Sequence, residues 1–82
     1  MIYSVVYSLE AGAELLRISG VVGAVAAIQA ADAIRHRLED DPAVNGTFLS
    51  EGLYYIDEEP LRAFFLIDVD SMVVEVTDFR IL

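Results

Sequence analysis

Apolar residues in the first half of the chain recur at helical spacing, and in the second half they recur at strand spacing. Ile2–Tyr7 is apolar apart from Ser4. A run with so little alternation predicts a central strand buried on both faces. Ser8 then offers a helix N-cap, with Glu10 in the first turn where negative charge suits the helix dipole. Ala11, Leu15 and Ile18 fall on one face of that helix, and Ser19-Gly20 is read as its end. From about Val21 to Glu39, the residues Val21, Val25, Ile28, Ala31, Ile34 and Leu38 recur at spacings of three and four, which predicts a second helix. Gln29, Asp32, His36 and Glu39 mark its wet side. Asp40-Asp41-Pro42 stops it, because the residue before a proline disfavours the α region. Two helices joined by so short a break predict an antiparallel hairpin.

Beyond the helices, Ala43–Ser50 contains Asn45-Gly46 and reads as a turn or loop, with a short extended piece at Thr47–Leu49. Three segments rich in aromatic and β-branched residues follow: Gly52–Asp57, Leu61–Asp68 and Met72–Arg80. The connections Asp57-Glu-Glu-Pro60 and Asp68-Val-Asp-Ser71 suit antiparallel hairpins. The expected fold is α+β, ordered β-α-α-β-β-β, with an antiparallel sheet and a helical hairpin packed on one face. One domain is expected over residues 1–82. Period-two alternation puts Tyr54 and Tyr55 on opposite faces, and Phe64 and Phe65 likewise. The outer member of each pair marks a contact patch, since aromatic residues are enriched at interfaces.

Composition adds a surplus and a charge. Hydrophobic residues make up 56% of the chain, above the usual level of roughly 45–50%. The surplus implies either a covered surface, in a homodimer or a partner groove, or a count inflated by alanine. Five arginines, no lysine and 14 acids give a net charge of −9. Nucleic-acid binders draw most of their affinity from neutralised phosphates, so direct nucleic-acid binding is disfavoured. Without cysteine there is no disulfide, thiolate nucleophile or cysteine-based metal site. The N-terminal residues do not read as a signal peptide. The apolar stretch Val21–Ala31 is far short of the roughly 20 residues that span a bilayer. A soluble, cytoplasmic protein that does not engage membranes is expected.

Few residues suggest chemistry on their own. His36, the single histidine, lies on the polar side of the second helix and reads as solvated. Arg35-His-Arg37 is the one basic cluster, and Glu39, Asp40 and Asp41 largely cancel it. Asp68 and Asp70 lie in a turn and lack the spacing of a calcium loop. Asp57, Glu58 and Glu59 form a second acidic turn. No serine has a histidine and carboxylate arranged to activate it, and Gly20-Val-Val-Gly23 has neither a P-loop lysine nor dinucleotide spacing. No cofactor and no metal are expected.

The ordered set of segments resembles the RelE/ParE toxin superfamily of bacterial toxin–antitoxin pairs. The first strand runs into Tyr7-Ser-Leu-Glu-Ala11, like the family's Ser-x-Glu-Ala helix start, and the second helix ends in Leu38-Glu-Asp-Asp-Pro42. Gly52-Leu-Tyr-Tyr-Ile56, Leu61-Arg-Ala-Phe-Phe-Leu-Ile-Asp68, and Val73-Val-Glu-Val76 followed by Arg80 match its last three strands. The resemblance implies a toxin whose partner is a cognate antitoxin and whose target is the ribosome or gyrase. Such proteins serve plasmid stabilisation or act as translational repressors. In nuclease members, arginines at the places of Arg62 and Arg80 contact the scissile phosphate, which makes these two the candidate catalytic residues of an endoribonuclease. The alternative for both is an ion pair with Asp57, Glu75 or Asp78. Nuclease members are basic and carry a tyrosine or histidine beyond the last strand, whereas here only Ile81 and Leu82 follow Arg80. The expected function is therefore a diverged, acidic toxin-fold protein acting through protein–protein contacts, with an antitoxin or with itself through an apolar patch. The alternatives are an active ribosome-dependent mRNA interferase and a homodimeric interaction module with no toxin role.

Overall fold

A computed structural model describes residues 2–82; Met1 lies outside the described residues. Its elements are β1 (Ser4–Tyr7), α1 (Leu9–Val22), α2 (Ala24–Asp40), a one-turn α3 (Pro42–Asn45), β2 (Thr47–Ser50), β3 (Leu53–Glu58), β4 (Leu61–Asp68) and β5 (Val73–Ile81). The strands form one sheet in the order β1-β5-β4-β3-β2. β3, β4 and β5 make the expected antiparallel meander, and β2 extends it as a further antiparallel strand at the edge. α1 packs chiefly on β5 and α2 on β3 and β4, so the helical hairpin covers one face. The shared core holds Ala11, Ile18, Ala31, Ile34 and Leu38 from the helices and Ile56, Phe65, Val76 and Phe79 from the strands.

β1 departs from the expectation of a central strand buried on both faces. It is an edge strand paired parallel to β5, with Ser4 opposite Val73 and Tyr7 opposite Val76. Only Val5 of its four residues is even half-buried between the exposed Ser4 and Val6. An apolar run is compatible with burial or with an uncovered apolar surface, and Val6 is the second case.

The helix break also lies elsewhere. α1 continues through Ser19 and Gly20, and the Ser19 hydroxyl donates back to the Leu16 carbonyl at 2.7 Å instead of capping a new helix. The chain turns at Gly23, whose φ of +100° is a conformation that side-chain-bearing residues rarely adopt. Its N–H closes α1 on the Ser19 carbonyl at 3.1 Å. The apolar stripe read along α2 is consequently buried only in its second half. Ala31, Ile34 and Leu38 are core, joined by Ala27 and Ala30, whereas Val21, Val25 and Ile28 remain 64–70% exposed towards the tip of the hairpin.

The expected helix N-cap is present: the Ser8 hydroxyl accepts the Ala11 N–H at 3.1 Å. Asp41-Pro42 both ends α2 and starts α3, with the Asp41 carboxylate accepting the Val44 N–H at 3.2 Å. The expected extended piece at Thr47–Leu49 is the edge strand β2, paired with β3. In the β4–β5 turn the Asp68 carboxylate accepts the Ser71 N–H at 3.1 Å, an Asx-type turn bond. No helix among the described residues is long and apolar enough to cross a membrane.

Candidate functional site

Alternation divides the sheet residues between the helix-covered face and an open face. Tyr54 stacks on Phe65 under the helices, with ring centroids 5.6 Å apart, while Tyr55 and Phe64 meet on the open face at 6.4 Å. The split of both aromatic pairs follows the sequence reading. Arg62 shares the open face with Phe64, because Leu61, Ala63 and Phe65 are all core.

Arg80 reaches the same face by a different route. Val74 and Val76 are core, and unbroken alternation would send residue 78 inward and residue 79 outward. The β4–β5 ladder shifts register between Phe64 and Phe65, so that Phe64 faces Asp78 whereas Phe65 faces Val76. This bulge at Thr77 turns Phe79 into the core and Arg80 to the open side, directly opposite Arg62. The two candidate residues are thus brought together as cross-strand neighbours.

Both guanidiniums are occupied. Arg62 grips Asp57 in a fork, Nε to Oδ1 at 2.7 Å and Nη2 to Oδ2 at 2.9 Å, and lies 4.2 Å above the Tyr55 ring. Arg80 donates from Nε to Asp78 at 2.9 Å and lies 6.0 Å from the Phe64 ring centroid. The remaining arginines are also paired: Arg17 with Glu14, Arg35 with Asp32 and Glu39, and Arg37 with Glu58. No guanidinium among the described residues is free of a carboxylate. Arg37 also donates to the backbone carbonyls of Asp57 and Asn45, at 3.2 and 3.5 Å, tying the end of α2 to β3 and α3. The sequence reading placed Arg37 in the one basic cluster, Arg35-His-Arg37, and did not anticipate this tie. His36 is exposed and its Nδ1 lies 3.0 Å from the Asp32 carbonyl, a local helix contact. No cluster of metal-ligating side chains occurs among the described residues.

The Arg62 hydrogen bonds, assisted by its charge, hold the Asp57 carboxyl below the ordinary aspartate value of 3.8, and Asp57 in turn raises Arg62. A depressed carboxyl stabilises the fold above its unfolded pKa and loses that contribution as pH falls through its folded value. The stability difference between the native protein and Asp57→Asn should therefore be present at neutral pH and close in acid, below 3.8. It should be small and weaken with salt, since the pair is largely exposed. Urea titrations of both proteins across that pH range check it.

The architecture is an open-faced five-stranded sheet with a helical hairpin behind it, the fold expected from the resemblance. Solved structures agree. The chain superposes on the toxin of the toxin–antitoxin complex RelBE2 from Mycobacterium tuberculosis with a TM-score of 0.83 and 15% identity, covering 100% of this chain and 93% of that one. The toxin of a chromosomal ParDE system from P. aeruginosa gives 0.71 and 17%, covering 99% and 97%. The chain therefore has the fold of RelE- and ParE-type toxins. No family model matches the sequence, and no curated protein matches it significantly.

Proposed function

We propose that this chain is the toxin member of a toxin–antitoxin pair, diverged from nuclease members, and that it acts through contacts with proteins. One observation carries the proposal: every arginine is held by the chain's own carboxylates. RNA binding and cleavage need cations turned towards phosphate, and a net charge of −9 opposes approach of a polyanion. The apolar residues left exposed on the hairpin, Val21, Val25 and Ile28, support a protein partner that covers them. The resemblance of the sequence and the fold to toxins solved with their antitoxins supports the identity of that partner. The reading places both proteins in the cytoplasm.

A second reading rests on a specific observation. Arg62 and Arg80 face each other across β4 and β5, where an RNA phosphate drawn between them would displace Asp57 and Asp78. That arrangement favours a ribosome-dependent mRNA interferase with Arg62 and Arg80 stabilising charge on phosphorus.

Co-expression with the products of the genes that flank this one, followed by size exclusion with light scattering, tests the first reading. A stoichiometric complex that survives purification is expected. A chain that elutes alone removes the antitoxin reading, and a chain that elutes as a dimer without its neighbour returns the homodimeric module in its place.

A further inference from the structure

The open face has a second region, away from the two arginines. Between β1, β5 and β4 lies a shallow depression of about 270 Å³. That is below the roughly 300–1,000 Å³ typical of small-molecule pockets. Val6 and Leu66 are 47% and 39% exposed there, and Val73 adjoins them. Val6 and Leu66 flank Glu75 as its partners in the two ladders. Asp68 lies at the rim opposite Val73. Neither carboxylate has a cationic partner among the described residues; Asp68 accepts only the Ser71 N–H, and Glu75 is exposed.

Apolar floor and unpaired anions together restrict what can sit there. A phosphate-bearing ligand would meet Glu75 and Asp68, with no free cation among the described residues to offset them. A second copy seated here by two-fold symmetry would put the same acidic patch, Glu75 and Asp68, on both sides of one interface, between molecules that already repel. A lysine or arginine fits both features: its aliphatic stem covers apolar carbon while its head reaches a carboxylate. Resting on the antitoxin reading, we infer that this depression docks a cationic amphipathic segment of the protein partner, with apolar side chains on Val6, Leu66 and Val73 and basic ones on Glu75 and Asp68. The partner's toxin-binding segment is then basic, complementary to this acidic chain.

A short labelled peptide of alternating lysine and valine is the probe, read by fluorescence anisotropy at low salt. The same peptide with glutamate for lysine is the control. The lysine peptide binds the native chain and the glutamate peptide does not. Glu75→Lys weakens binding by roughly tenfold or more, because a like charge replaces an attraction. Glu51→Lys makes the same change in net charge at the β2–β3 turn and weakens it by less than about twofold, the residual long-range effect. Leu66→Ser weakens it several-fold, and circular dichroism verifies that each variant is folded. Equal losses from Glu75→Lys and Glu51→Lys would reduce the attraction to net charge and overturn the inference, as would a peptide that does not bind. Dimerisation strengthened by Glu75→Lys would assign the face to a second copy and overturn it too. The co-expression result is independent of this titration: a complex indifferent to Glu75→Lys sinks the docking site and leaves the antitoxin reading standing, whereas peptide binding without a complex does the reverse.

Discussion

Phe65→Ala is expected to cost about 3–5 kcal/mol of folding stability. Phe65 has no exposed surface, stacks on Tyr54 at 5.6 Å and lies in the middle strand of the sheet, under the helices. Removing the ring leaves a void bordered by the rigid ladder of β3, β4 and β5, which cannot close around it. A chain of 82 residues has a total stability on the order of 4–12 kcal/mol. The variant should therefore be largely unfolded near physiological temperature or melt tens of degrees lower, as a thermal denaturation followed by circular dichroism would show. A melting point within a few degrees of the native one would mean that the core is not built around this ring.

Gly46→Ala should destabilise through the opposite fault, by about 1–3 kcal/mol. A Cβ at position 46 would run into the Phe65 ring and lie 2.9 Å from the Pro42 carbonyl oxygen. The ring is packed on all sides, and the carbonyl is fixed because it accepts the Gly46 N–H at 3.0 Å. Backbone conformation is not the obstacle, since φ at Gly46 is −94°, which any residue can adopt. If the clash with the ring is the cause, Phe65→Leu and Gly46→Ala should be non-additive in a double-mutant cycle, the pair costing less than the two single losses together. Strict additivity would trace the effect to the Pro42 carbonyl alone.

The parts of the fold that were legible are those in which residue pattern and environment correspond one to one. Leu61–Asp68 matches β4 in full, and β3 and β5 were read within a residue of their observed ends. The helix break was misplaced because Gly20 and Gly23 are the same residue in similar surroundings; a positive φ at Gly23 alone decides between them. The place of β1 was hidden because an uncovered apolar patch and a doubly buried strand have the same composition. Of the site, the Arg62–Asp57 pair was within reach. A two-residue connection at Glu59-Pro60 puts residues 57 and 62 opposite each other, and the sequence reading counted Asp57 among several acids without that step. Arg80 was placed by resemblance, and its orientation depends on a one-residue bulge at Thr77 that no local pattern announces. The stacking of Arg62 on Tyr55 follows from the same register and was missed with it.

The central claim is that an acidic chain whose arginines are all internally paired works through proteins and not by cutting RNA. Mapping the 5′ ends of translated mRNA after induction, in cells expressing either the native chain or Arg62→Ala, tests it most directly. The account predicts the same end profile for both, with no new cuts in phase with the codons. Codon-phased cuts that appear with the native chain and vanish with Arg62→Ala would contradict it and make Arg62 a catalytic residue.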